Sequence, residues 1–563
     1  MSKTSKFFRT PGLFFSDMLK KKIGVPTSGQ VNATAAAAAA AAAARKPAPK
    51  AAAPAAKVAP AAAKPIQFKT LPLYMAEITN FASSFNVNTL KVGDEPFWPY
   101  LRSHLVCQYI ALNARRDPRG SQLLKPSRVS MGSSAELPYS LRSLFASKYG
   151  VQELEQVEET EGVDFLFFTF TNATEQVELE DKYFYRVTDT VYECAKTVGS
   201  ARKVEIIRSN SQGIRKALSY YHKPLLVFSP SLYQQGYRHR LDFHRDFFPT
   251  AIRYLPSVTL TLEGLESVVD WEMSTREFYI NLFKRLKPRV VFVPAFHMCP
   301  PLISAARSLG ILTVDIQHGI QVGWNPLYND WNEAPSAGYP ALPDYFMVWS
   351  KKEAENIRKI FPWAKPLIIG HTWLARQLKF GAGLPRSVQH DLERPGPKVL
   401  VAMQLSTEIP QWLIDVITAA PAEFTFMIRN HPKALKKFGA DAFKDYPTMA
   451  KVICSEELDA ALLVPILKET DAVISEGSSV SAEAELFGAS VFLCGETAKN
   501  NYAEEVASGA YNVYSDPQNF FDVILADAES GGSKKEGGVE RSLEYTTESL
   551  NLLLESSKKF GAK

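Results

Sequence analysis

A chain of 563 residues that is 46% hydrophobic, 11% aromatic and 22% charged has globular composition and room for several domains, which excludes the collagen-like, fully disordered and small disulfide-stapled classes. Its five cysteines are scattered and show no Cys-x-x-Cys spacing, so neither a disulfide framework nor a structural zinc site is expected, and a reducing cytoplasm fits. The formal charge of +5 is uneven: residues 1–70 carry twelve Lys or Arg against Asp17 alone, leaving the remainder near −6. That argues against nucleic acid as a partner, because a binding domain carries its basic cluster on the fold itself.

In chain order, residues 1–30 form an amphipathic basic segment. Phe7, Phe8, Leu13, Phe14, Phe15, Met18 and Leu19 recur near helical spacing among Lys3, Lys6, Arg9 and Lys20–Lys22, with Pro11–Gly12 as a break. Such a segment fits an anchor on an anionic membrane surface, a docking peptide for a membrane partner, or a helix packed on the body. No apolar run approaches the roughly 20 residues needed to span a bilayer, and no apolar h-region follows the basic start, so no secretory signal is expected. Residues 31–66 are an Ala/Pro-rich linker, expected to be disordered, that cannot build a core.

From residue 67 the pattern turns globular. A helix is expected over 97–115, then strands over 163–170, 203–209 and 223–231, a helix over 276–288, a strand over 289–297, a helix over 301–310, and strands over 312–319 and 344–350. A second alternating series follows, with strands over 395–404, 424–430, 451–455, 471–479 and 490–495 and helices near 409–419, 459–469, 479–487 and 498–508. A terminal helix covers 536–559 after a Gly-Ser hinge. Strand–helix alternation with continuously apolar strands predicts parallel sheets covered on both faces. The fold class is therefore α/β, two Rossmann-like doubly wound domains over 67–365 and 366–530, with 531–563 as hinge and helix. Ligands of such sheets bind beyond the carboxyl ends of the strands.

Three strand ends carry polar residues. The strand FTFMI runs into Arg429, Asn430, His431, Pro432 and Lys433, where His431 can donate to a phosphate and Arg429 or Lys433 can add charge. The strand DAVIS runs into Glu476, Gly477, Ser478 and Ser479, and a helix begins at once. Hydroxyls and backbone N–H groups there suit an anion, and Glu483 or Glu485 on the helix suits ribose hydroxyls. The strand LTVDI runs into Gln317, His318 and Gly319, followed by Trp324, Tyr328 and Trp331; His318 can act as a general base, and the aromatics can stack on sugar faces. Asp315 either points into the sheet or orients a histidine. His371 ends a similar but weaker segment, LIIGH. Neither GxxxxGK[ST] nor GxGxxG stands at a strand–helix junction, which disfavours an ATPase or an NAD dehydrogenase.

Taken together, His-Pro at 431–432 and Ser-Ser at 478–479 resemble the motifs of bacterial surface-polysaccharide glycosyltransferases of the GT-B fold that use CMP-activated acidic sugars, the sialyltransferases and β-Kdo transferases of capsule and lipopolysaccharide assembly. The runs IQHGI, PDYFMVWS and LIIGH are similar to a pattern of surface-carbohydrate enzymes, and KFFRTPGLFFSDMLKKK is similar to N-terminal segments of capsule enzymes. The resemblance covers about residues 290–500. It implies a nucleotide-sugar-dependent transferase with a glycan or glycolipid acceptor, needing no cofactor and no metal, cytoplasmic and peripheral on the inner membrane through residues 1–22. It implies contacts to donor phosphate and ribose from His431, Ser478 and Ser479, assisted by Arg429, Lys433, Glu476, Gly477 and Glu485. The catalytic candidates are His318 and Glu161, and the acceptor candidates are Gln317, Trp324, Tyr328 and Trp331. The sequence departs from the acidic-acidic-Gly motif of those sialyltransferases, offering only Glu159-Thr160-Glu161-Gly162. CDP-polyol phosphotransferases of teichoic-acid synthesis share a related His-Gly and His-Pro arrangement and form the alternative, together with a non-catalytic carbohydrate-binding or scaffold protein.

Overall fold

The computed structural model describes residues 71–116, 157, 159, 162–170, 176–206, 219–228, 240–258, 260–320, 326–381, 383–404, 406, 408–432, 434, 436–529 and 539–560. The N-terminal segment and linker of residues 1–66 lie outside the described residues, as do Glu161, Trp324 and Lys433. Two helices open the described body, α1 (Leu71–Ser84) and α2 (Trp98–Arg116).

The first sheet has seven strands: β1 (Val163–Phe170), β2 (Ala201–Ile206), β3 (Leu226–Phe228), β4 (Pro288–Val293), β5 (Leu312–Ile316), β6 (Tyr345–Val348) and β7 (Lys365–Ile368). All neighbours are parallel, in the order β7-β6-β5-β4-β1-β2-β3. The reversal of order at β1 and β4 is the doubly wound pattern. β1 reads VDFLFFTF because both its faces are covered, and seven of its eight residues are buried.

Between the strands run α3 (Thr188–Val198), α4 (Leu262–Leu286), α5 (Pro300–Ser308) and α6 (Lys351–Ile360). Helix α4 starts fourteen residues before the expected 276. Thr261 caps it by accepting from Gly264 N–H at 3.0 Å, and Lys287 ends it in the left-handed region at φ 45°, just ahead of Pro288. The stretch hid its helical character because Glu272, Ser274 and Thr275 are buried in it, Glu272 against His104 at 2.6 Å.

The second sheet has six strands: β8 (Lys398–Ala402), β9 (Thr425–Arg429), β10 (Lys451–Ile453), β11 (Ala472–Ser475), β12 (Ser490–Leu493) and β13 (Asn512–Val513). They too are all parallel, in the order β10-β9-β8-β11-β12-β13. This is the expected GT-B layout of two Rossmann-like α/β halves. The first sheet includes β7 up to Ile368, so it extends past the expected division at 365.

Helix α7 (Thr372–Phe380) leads to the second half, where α8 (Gln411–Ala419), α9 (Val480–Glu485) and α10 (Pro517–Glu529) follow strands. The last helix, α11 (Ser542–Phe560), returns to the first sheet. Its Leu550 and Leu553 are fully buried among Phe165, Val290, Val314 and Tyr345, and Arg289 donates to the Leu554 carbonyl at 2.9 Å. The approach is close at Gly370, which has φ +67°: a Cβ there would stand 2.2 Å from Ser542 Oγ, so no other residue fits without moving the helix.

Candidate functional site

The cleft forms where the carboxyl edge of the first sheet meets the second half. β5 ends in Gln317 and His318, β6 in Trp349, and β7 leads into Ile369 and His371. These residues, with Arg186 from the turn before α3 and Glu483 from α9, enclose about 340 Å³ of empty space, part of it open to solvent. Helix α9 belongs to the second half, so the cavity lies between the two halves, the usual place for a ligand of paired α/β domains.

Each wall is held by its own contacts. Gln317 is buried; its amide nitrogen donates to Gly319 O at 3.1 Å and to the Glu353 carboxyl, and its Oε1 accepts from Trp349 N–H at 2.7 Å. The side chain therefore ties three loops together and has no polar atom left for an acceptor, which corrects the expectation for Gln317. Burial pushes the Glu353 carboxyl up to about 7, against the hydrogen bond from Gln317 that favours its charged form.

His371 stacks on Trp349 with ring centroids 4.1 Å apart. Its Nε2 meets Glu483 Oε1 at 3.0 Å, and Leu374 N–H donates to its Nδ1 at 3.4 Å as the cap of α7. A ring that accepts at Nδ1 carries a proton on Nε2, which it directs at Glu483. Both nitrogens are committed, and His371 is a latch between the halves rather than a base. Burial raises the Glu483 carboxyl, but the hydrogen bond and the electrostatic pull of His371, followed by the charges of Arg186 and Arg429, outweigh it and hold the group below its ordinary value.

Arg186 stands at a firm corner. Asp189 accepts from Tyr185 N–H at 3.0 Å and from Lys203 Nζ at 2.7 Å, and Asp189 and Lys203 are fully buried. His318, from the loop after β5, is partly exposed in the cavity, its ring 6.3 Å from that of His297.

The second sheet presents the other expected residues. Ala402 at the end of β8 lies in register with Arg429 of β9 on one side and Ser475 of β11 on the other. His431 and Ser478 follow two and three residues later, beyond the carboxyl ends of β9 and β11, two strands whose axes lie about 10 Å apart. His431 is partly exposed. Gly477 turns the chain at φ +102°. The N–H groups of Gly477 and Ser478 both point to Ser475 Oγ at 3.2 Å, and Val480 N–H points to Ser478 Oγ at 3.3 Å. The turn thus answers these N–H groups internally, and what it offers a ligand is hydroxyl groups, a correction to the expected cradle of open backbone donors.

Arg429 is a structural residue rather than a phosphate ligand. Its Nη2 donates to the carbonyls of Asp459 at 3.2 Å and Ala461 at 2.7 Å, and burial lowers its pKa. Glu476 accepts from Trp412 Nε1 at 3.1 Å and so anchors α8. Glu485 is exposed and accepts from Tyr511 at 2.7 Å; two residues along a helix face different ways, and Glu483 is the carboxylate that reaches the cleft.

The two acceptor aromatics that are described are core residues. Tyr328 is 0% exposed with its hydroxyl on Asp315 at 3.0 Å, and Trp331 is 4% exposed beneath the Arg102 guanidinium, 4.2 Å from its ring. Neither can stack on a sugar. Asp315 accepts from Phe296 N–H at 2.8 Å and from the Tyr328 hydroxyl, both inside the first half. Sequence reasoning missed Arg186 and Trp349. Among the described residues, no group of three or more His, Cys, Asp or Glu could hold a metal ion.

Fold and site together define a two-domain α/β protein with a cavity between the carboxyl edge of the first sheet and helix α9 of the second half. No protein-family model and no curated protein matches the chain. Among solved structures it is similar to the UDP-GlcNAc 2-epimerase of Neisseria meningitidis bound to UDP-GlcNAc, at 13% identity over 69% of this chain and 99% of that one with a TM-score of 0.40. It is also similar to the calicheamicin glycosyltransferase CalG4, at 12% identity over 71% and 99% with a TM-score of 0.41. A third is the UGT73P12 of Glycyrrhiza uralensis complexed with glycyrrhetinic acid 3-O-monoglucuronide, at 12% identity over 71% and 92% with a TM-score of 0.36.

Proposed function

We propose that the protein is a glycosyltransferase of surface-polysaccharide synthesis, moving a sugar from a nucleotide-activated donor, a CMP-activated acidic sugar, to a glycan acceptor. The observation that carries this reading is the cavity between the two halves, where His318 of the first sheet's carboxyl edge and Glu483 of the second half line one space. The donor nucleotide lies on the second sheet, with its phosphate at His431 and its ribose toward Ser478 and Ser479, residues that follow the strands on either side of β8. The acceptor hydroxyl attacks the anomeric carbon, its proton passes to His318, and the bond to the donor phosphate breaks with the electron pair leaving on the phosphate. The aromatic and basic side chains of residues 1–22 hold the enzyme on an anionic inner-membrane surface. Among the described residues no helix is long and apolar enough to cross a membrane.

Titration of the full chain with CMP, UDP and GDP tests the donor site. CMP at 100 times its dissociation constant is expected to raise stability by about 2.7 kcal/mol. His431→Ala is expected to weaken CMP by about 1–3 kcal/mol, the usual cost of a lost charge-assisted bond. Unchanged affinity in the variant, or no response to any nucleotide, would contradict the assignment, the second outcome favouring a scaffold.

A further inference from the structure

The corner before α3 holds two polar groups without partners, and one of them lines the cavity. Arg186 faces the space between the halves, its Nε is buried, and that N–H makes no hydrogen bond among the described residues. Two residues on, Thr188 is fully buried and its hydroxyl is likewise unpartnered. Helix α3 starts there with no side-chain cap. Buried donors are normally satisfied, so the orphaned Arg186 N–H beside the cavity points to a group that completes it.

The charges around Arg186 are consistent with an anion. The carboxylate that faces it, Glu483, takes its hydrogen bond from His371 and makes none with Arg186. Arg429, whose own charge is offset first by Asp459, stands within electrostatic reach of Glu483 as well. A guanidinium is a planar fork that matches carboxylate or phosphate oxygens in pairs.

We infer that Arg186 binds an anionic group of the substrate, a carboxylate or a phosphate, inside the interdomain cavity. This rests on the transferase reading and names the substrate class: one sugar or acceptor carries a negative charge besides the donor's phosphate. The group is a second anion, because Arg186 belongs to the first half of the fold, whereas His431 and Ser478 stand on the second sheet. It comes either from the transferred sugar or from the acceptor.

The test measures equilibrium binding to the full chain and to Arg186→Gln and Arg186→Lys, with five probes: CMP, CMP-N-acetylneuraminate, UDP-glucose, glucuronate and inorganic phosphate. At least one of CMP-N-acetylneuraminate, glucuronate and phosphate is expected to bind the wild type and to lose tenfold or more in affinity in Arg186→Gln, with partial recovery in Arg186→Lys. CMP and UDP-glucose are expected to change less than twofold. A loss confined to CMP-N-acetylneuraminate assigns the anion to the donor sugar, and a loss with glucuronate or phosphate assigns it to the acceptor. Absence of binding by all three anions, unchanged affinities in Arg186→Gln, or an equal loss for CMP overturns the inference. Should Arg186→Gln not fold, the wild type against Arg186→Lys decides by the same criterion at severalfold rather than tenfold. Failure of CMP alone to bind the wild type contradicts the donor site and leaves the anion arms readable.

Discussion

Glu483→Ala is expected to destabilise the protein by about 3–5 kcal/mol, the range for removing one partner of a buried charged pair. Three groups feel the loss at once. The Nε2–H of His371, 3.0 Å from the carboxylate, is left buried without an acceptor. Arg186 loses the nearby negative charge of Glu483, and Arg429 is left with Asp459. Because His371 caps α7 beside the first sheet while Glu483 sits on α9 in the second half, the variant also opens the latch between them. Glu483→Gln keeps an acceptor oxygen for His371 and removes only the charge, so its cost should fall nearer 1–2 kcal/mol. Urea unfolding of the two variants checks this; an alanine variant within about 1 kcal/mol of wild type would show that the pair is incidental.

His318→Ala is expected to lower turnover by 10²–10⁴-fold, the usual contribution of a positioned general base. Nucleotide affinity should be retained, since His318 lies on the first sheet's edge and the proposed nucleotide contacts on the second's. His318→Gln should not restore the rate, because an amide can hydrogen-bond the acceptor hydroxyl without taking its proton. Pre-steady-state transfer separates this from slow product release. A variant that turns over within a fewfold of wild type would remove His318 from the chemistry and leave the base to be found elsewhere in the cleft.

How much of this was legible in the sequence depends on the range of the forces involved. Strand β1 was read to the residue because an apolar run buried on both faces announces itself locally. The strand ends at His318, His371, His431 and Ser478 were legible for a related reason: where apolar character stops, a parallel strand leaves its sheet. Partners distant in sequence were not legible. Tyr328 and Trp331 look like loop aromatics until Arg102, more than 200 residues earlier, is seen to be buried against Trp331 and to donate to the carbonyl of Asn329 at 2.5 Å. Arg429 looked like a free cation because nothing local shows that the backbone at Asp459 and Ala461 faces it. Choosing Glu483 over Glu485 needed the rotational phase of a six-residue helix, too short for a pattern to fix. The return of α11 to the first sheet, and the docking of its start at Gly370, depend on packing that no single segment encodes.

The central claim is that substrate occupies the space between the two sheet edges. Hydrogen–deuterium exchange of the full chain, with and without saturating CMP-activated sugar, tests it most directly. The expected result is slowed exchange on both walls: residues 317–320 and 369–374 on the first, and 430–432 and 477–483 on the second. Protection confined to one wall, or to neither while the nucleotide sugar is demonstrably bound, would place the substrate elsewhere and contradict the assignment.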